Sequence, residues 1–407
     1  MNNWFKNIGP GPLVAAAFIG PGTVTLCTIA GVNFGFALLW AMVLSIVATI
    51  VLQEMAARLG IIAQKGLSEV IRTEISNPFL KTLTLILILS AIVIGNAAYE
   101  AGNISGGVLG LETIFGDPYQ DIMGVSVNVM SIFIGAIAFV LLYIGNYKVL
   151  EKALIGLVIV MSMAFLITAV MSKPDFSEIF KGVFVPNFDE DSLLMVIGLI
   201  GTTVVPYNLF LHASLVKEKW QDKSDLQYAR KDTIIAVALG GLVSMCIIIC
   251  AAAIDTKDIS NAADLAKSLE PLFGSVSKYV LATGLFAAGI TSAITAPLAA
   301  AFVATGCMGW STNMKSKRFR MVWLFILLLG VLFSSLGIKS IEIIKFAQVA
   351  NGIMLPVIAG VLLWIMNKSS VLGVYKNTTR QNVFGFVILA ITIFLGLKSI
   401  LKVFNLL

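Results

Sequence analysis

The sequence predicts an all-α integral membrane protein: eleven transmembrane helices, ten of them forming two inverted sets of five, with one extra helix at the C-terminal end. Three observations carry this. Apolar runs long enough to cross ~30 Å of hydrocarbon recur from end to end of the chain. The 407 residues are 58% hydrophobic and only 12% charged, where soluble domains carry about 25% charged residues. Finally, proline and glycine interrupt the first and sixth runs, the two that open each set of five.

The runs are taken in order. The first, 13–32, follows a lead, Met1–Ile8, that holds one cation, Lys6, and does not read as a cleavable signal. The second spans 36–59, the third 80–110, the fourth 122–144 and the fifth 149–172. The sixth, 192–215, is followed by the longest polar stretch, Lys217–Lys231. Then come 232–254, 276–309, 319–337, 342–366 and the extra helix, 382–403. The two halves of the repeat are read as about 10–175 and 190–367, within a single transport domain.

Charge sets the orientation. With the N-terminus inside, the inner loops hold Lys65, Arg72 and Lys81, then Lys148 and Lys152, then Lys217 to Lys231. Lys315, Lys317, Arg318 and Arg320 follow, and then Lys368, Lys376 and Arg380. The outer loops are acidic or mixed, with Glu112, Asp117 and Asp121, then Asp175, Glu178 and Asp189 to Asp191, then Asp255, Asp258, Asp264 and Glu270. The excess of inner cations predicts a multi-pass inner-membrane protein, N-terminus in and C-terminus out, against Lys339, Lys398 and Lys402 as discordant positions. The +6 net charge therefore reports topology and not a nucleic-acid partner. Cys246 and Cys250, four apart on one helix face, read as small buried hydrophobes.

Both interruptions have the same design. The first span contains Gly20-Pro21-Gly22-Thr23, and the sixth contains Gly201-Thr202-Thr203, then Val205-Pro206-Tyr207-Asn208. A proline inside a helix costs ~3 kcal/mol and frees a carbonyl, which hydrocarbon tolerates only where the freed backbone lines a polar cavity. Matched breaks in inverted halves point to a binding site between them.

At these residues the chain resembles the Nramp family, proton-coupled importers of manganese and iron with a LeuT-like fold. Gly9-Pro10-Gly11-Pro12 leading to Gly20-Pro21-Gly22-Thr23 is similar to the family's opening segment. Ala56-Ala57-Arg58-Leu59-Gly60 followed by Lys65-Gly66-Leu67-Ser68-Glu69 also resembles it. So do the stretch from Leu150-Glu151 to Lys173-Pro174-Asp175 and the segment Pro206-Tyr207-Asn208-Leu209-Phe210-Leu211-His212. The departures fall at the site. The family's metal ligands are an Asp and an Asn at the first break and a Met at the sixth; Gly20, Thr23 and Val205 stand at those positions here, and Tyr207 replaces a histidine. In the third span Ala97 stands where the family often has Asp, while Glu100 keeps the family's Glu.

Glycine and valine offer no donor to a transition metal and threonine offers one hydroxyl, so no metal ligand set is expected. The glycine-rich break favours a small carboxylate or zwitterion, such as an amino acid-like solute, seated on the free N–H groups of Gly22 and Thr23. Thr202, Tyr207 and Asn208 would complete the site. The alternative is a divalent metal, Mg2+ or Mn2+, held by an altered ligand set; a further alternative is a non-transporting sensor. Buried charge in a membrane is costly and marks function, so Glu100 and His212 are the candidates for proton coupling. Asn96, one turn before Glu100, is a polar companion, and Gln348 with Asn351 is a candidate gate. Glu54 reads as interfacial and paired to Arg58. With one histidine and no nucleophile–base set, no enzymatic activity is expected; no phosphate-binding loop for ATP is present and no cofactor is implied.

Overall fold

Each apolar run folds as a helix, and the two interrupted runs fold differently from the rest. The computed structural model describes residues 19–122, 124–145, 148–186, 192–254, 259 and 261–403. The long helices are α1 (Pro21–Phe34), α2 (Leu39–Ala63), α3 (Pro78–Phe115), α4 (Val129–Ile144), α5 (Lys148–Met171), α6 (Leu193–Thr203), α7 (Pro206–Lys219), α8 (Leu226–Ala252), α9 (Ser277–Met308), α10 (Lys317–Ser334), α11 (Ser340–Met366) and α12 (Thr379–Val403). Among the described residues, eight helical segments are long and apolar enough to cross a membrane, with α6 and α7 counted as one. The shorter α1, α4 and the basic-ended α10 lie on the other three expected spans. Thus the chain is a multi-pass helical membrane protein.

The expected fourth span begins too early. Residues 119–128 form a hairpin, Tyr119–Ile122 against Val125–Asn128, with Gly124 at φ 81° making the turn. Alternating Val125, Ser126 and Val127 suit a strand, and Asn128 then caps α4 by accepting from the Ser131 N–H. The third span is longer than expected. Asn77 caps it by accepting two N–H bonds, Pro78 fits its first turn, and its 38 residues reach about 57 Å.

Contacts between loops sort the helix ends into two groups. At one end Arg58 donates to the Tyr375 carbonyl (2.9 Å), Arg230 to Glu54 (2.8 Å), Arg72 to the Gly306 carbonyl (3.1 Å) and Arg320 to the Tyr143 carbonyl (3.4 Å). The opposite end joins the Tyr119 hydroxyl to the Ile338 carbonyl (3.1 Å) and packs Gly182 on the Phe36 carbonyl. The basic loops cluster at the first end, as the charge pattern predicts.

Small residues set the interior. Gly107 and Gly289 meet where α3 crosses α9, and Gly201 and Gly352 bring α6 against α11. Side chains there would push the helices apart, and close approach of helix backbones in membranes uses such residues.

Candidate substrate site at the paired helix breaks

Both prolines begin a helix, where they cost least. Gly20 is extended (φ −86°, ψ 178°) and precedes Pro21 at the first position of α1. Val205 is likewise extended and precedes Pro206 at the first position of α7. A proline at a helix start has no N–H to lose; the ~3 kcal/mol interior penalty does not arise because each proline follows an extended residue and opens its helix. The half of span one before residue 19, and the Gly9–Pro12 motif, lie outside the described residues.

The two breaks touch. Thr23 Oγ1 and Thr202 Oγ1 are 2.8 Å apart and fully buried, joining α1 to α6. Pro21 packs against Gly106 of α3, where a Cβ would collide with the proline ring. Tyr207 on α7 meets Tyr99 on α3 edge-on, with centroids 5.2 Å apart. Asn208 is buried with neither amide atom hydrogen-bonded, and Oε1 of Gln348 on α11 is buried and unpartnered as well. Gly20, Gly22, Thr23, Thr202, Val205, Tyr207 and Asn208 therefore lie at two joined breaks, with Gln348 against Gly22.

One expectation is corrected here. Gly22 was expected to leave open room for a carboxylate. The Gln348 amide fills that room: a Cβ on Gly22 would land on the Gln348 side chain. The start of α1 is covered by a neutral amide, which removes the cradle that the amino acid-like substrate needed. Val205 contributes no side-chain donor, but its carbonyl accepts the Asn208 N–H (3.0 Å).

The candidate proton groups separate. Glu100 is the fully buried carboxylate among the described residues. Its Oε2 accepts a long bond from Asn103 (3.5 Å), its Oε1 has no partner, and Gly330 of α10 gives its side chain room. Tyr99, which precedes it in the chain, meets Tyr207 of α7. Asn96 does not serve Glu100, because its amide donates to the Ala296 carbonyl (3.1 Å) and ties α3 to α9. His212 lies farther along α7, where Nδ1 bonds Gln53 Oε1 on α2 (2.7 Å) and Nε2 is unpartnered. Asn351 keeps an unpartnered buried Nδ2 one turn from Gln348. Glu54 pairs with Arg58 (3.0 Å) as expected, and with Arg230 besides (2.8 Å). Cys246 and Cys250 are free and buried.

Tyr99, Asn103 and Gln53 escaped the sequence reading. The available signal was local: Tyr99 and Asn103 flank Glu100 within one turn, and Gln53 adjoins the charged Glu54 in an otherwise apolar helix. Among the described residues no cluster of three or more His, Cys, Asp or Glu side chains could hold a metal.

Comparison with known proteins decides the family. The model of the Nramp family, natural resistance-associated macrophage protein-like, matches residues 11–402. The chain belongs to the Nramp family. The divalent metal cation transporter MntH of Verminephrobacter eiseniae is 26% identical over 91% of this chain and 83% of its own length. MntH of Bacillus subtilis is 28% identical over 77% of the chain and 73% of its own length. The manganese transporter of Eremococcus coleocola superposes with a TM-score of 0.78 at 23% identity, covering 98% of this chain and 87% of that one. MhsT, solved with L-phenylalanine, gives 0.63 at 14% identity, covering 96% and 98%. The Nramp chain thus has the LeuT-like inverted-repeat fold, with breaks in spans one and six and an added C-terminal helix.

Proposed function

We propose that this Nramp protein carries a divalent metal cation by alternating access, holding it through neutral oxygen donors at the paired breaks with part of its water shell retained. The donor set carries the reading. The hydroxyls of Thr23 and Thr202 lie 2.8 Å apart, Gln348 with its unpartnered Oε1 covers Gly22, and Asn208 in the first turn of α7 has both amide atoms unpartnered. Relatives named divalent metal cation transporters over most of the chain support a metal cargo. The last carbonyls of α6 add cation-seeking dipoles, since a helix C-terminus leaves such groups unpaired. Magnesium dehydrates reluctantly and needs few direct ligands, so it suits this set best; Mn2+ is second. Ions that select thioether or imidazole ligands find Val205 and Tyr207 instead.

Glu100 carries the coupling proton in this reading, and its buried, unpartnered Oε1 is the support for it. The repeat halves, about 10–175 and 190–367, rock about the site. In this reading the protein sits in the inner membrane with the N-terminus in and the C-terminus out, supported by the excess of cations in the loops assigned to the cytoplasm. The test is a thermal-shift titration of purified protein with Mg2+, Mn2+, amino acids and small carboxylates, since a ligand of the native state raises its melting temperature. Stabilisation by a divalent cation, weakened in Asn208→Ala, is expected. Stabilisation by a carboxylate solute alone would overturn the reading.

A further inference from the structure

A cavity of about 500 Å³ opens beside α4, and none of the paired-break residues Gly20 to Thr23, Thr202 or Val205 to Asn208 lines it. Its body is apolar, lined by Leu154, Leu211, Leu298, Phe302 and Trp323 from α5, α7, α9 and α10. Its mouth is polar, formed by Thr312, Asn313, Lys315 and Arg320 with the exposed carboxylate of Glu218. The mouth is at the end of the bundle where the basic loops gather. Tyr143 and Ile144 also line it and are 55% and 57% exposed, in line with the exposed Phe139 and Val140 of the same helix. The cavity therefore opens sideways, along the face of α4 that hydrocarbon covers in a membrane.

Arg320 is held ready at this mouth. Its guanidinium stacks over the Tyr143 ring at 4.5 Å and donates to the Tyr143 carbonyl at 3.4 Å, while its Nε is buried without a partner. A planar cation with an unused donor, beside a second cation, suits a phosphate. An apolar chamber with a few convergent polar groups is the usual form of a small-molecule site.

We propose that this cavity binds one anionic phospholipid, an acyl chain among Leu211, Leu298 and Trp323 and the headgroup phosphate on Arg320 and Lys315. Charge complementarity at the mouth and the lateral opening along α4 select a lipid over a soluble anion.

The test uses the intact protein in nanodiscs, with bromine-labelled acyl chains as quenchers of Trp323. The Trp323 signal is the fluorescence difference between the protein and Trp323→Phe. Brominated phosphatidylglycerol is expected to quench it at about 25-fold lower mole fraction than brominated phosphatidylcholine, from about fivefold for each of the two basic side chains. Arg320→Gln should remove about fivefold of that preference, and Arg320→Gln with Lys315→Gln should abolish it while the fold, read by circular dichroism, persists. Equal quenching by the two lipids means nonspecific contact and overturns the proposal. So do a preference that survives the double substitution, and relief of quenching by inorganic phosphate, which would make the ligand a soluble anion.

Discussion

The hydroxyl pair joining the breaks permits a quantitative test by substitution. Thr23 and Thr202 are 179 residues apart in sequence and 2.8 Å apart at their hydroxyls, both buried. Thr202→Val keeps the shape of the side chain but takes one partner from the Thr23 hydroxyl. A buried hydroxyl deprived of a partner costs about 1–3 kcal/mol, whereas the net worth of a neutral hydrogen bond is only about 0.5–1.5 kcal/mol. Thr23→Val, which strips the Thr202 hydroxyl, should therefore destabilise by about 1–3 kcal/mol, and Thr202→Val by the net worth of the shared bond, about 0.5–1.5 kcal/mol. The double substitution sets two apolar groups face to face and should cost less than the sum of the singles by about 1 kcal/mol or more. The assay is a double-mutant cycle on equilibrium unfolding in mixed micelles. Groups in direct contact couple by about 0.5–3 kcal/mol, and independent ones add within about 0.3–0.5 kcal/mol. Additive costs would refute the claim that this pair ties the two breaks together.

Other outcomes follow from the same geometry. Gly22→Ala should weaken cation binding because its Cβ displaces the Gln348 amide, and Gln348→Ala should weaken it as well by removing that donor; both are read by titration calorimetry. Glu100→Gln should remove pH-driven accumulation in proteoliposomes while cargo exchange continues, and an unchanged pH dependence would make Glu100 structural. Arg58 is buried and bridges Glu54, Asn377 (2.7 Å) and the Tyr375 carbonyl, so Arg58→Met should destabilise by about 3 kcal/mol. Arg230, 41% exposed, shares Glu54 from solvent, and Arg230→Met should cost under about 1 kcal/mol by the same unfolding measurement.

Much of this fold is written locally. Hydrocarbon demands long apolar segments, so spans appear in the sequence without knowledge of their neighbours. The breaks were legible for a related reason: Gly20-Pro21 and Val205-Pro206 act within one turn. What the sequence hides is which side chain fills the space that a glycine leaves. Gly22 reads as open from its own neighbours, and Gln348, more than three hundred residues away, occupies the gap. The same distance hid the partners of Arg58. Glu54 is visible at i−4, while Asn377 and Tyr375 arrive from the loop before α12. Asn96 misled because adjacency to Glu100 along the helix does not fix the direction of an amide, which points to α9.

The central claim is that this Nramp scaffold still moves a divalent cation through a site built from neutral oxygens. Flux into proteoliposomes tests it most directly, with a magnesium-sensitive dye and, in parallel, a manganese-quenched dye inside. The account predicts saturable uptake of Mg2+, with Mn2+ as a weaker competitor, lost when Thr23 and Thr202 are both replaced by valine. Absence of uptake for both ions, together with saturable uptake of a labelled carboxylate solute by the same vesicles, would contradict it.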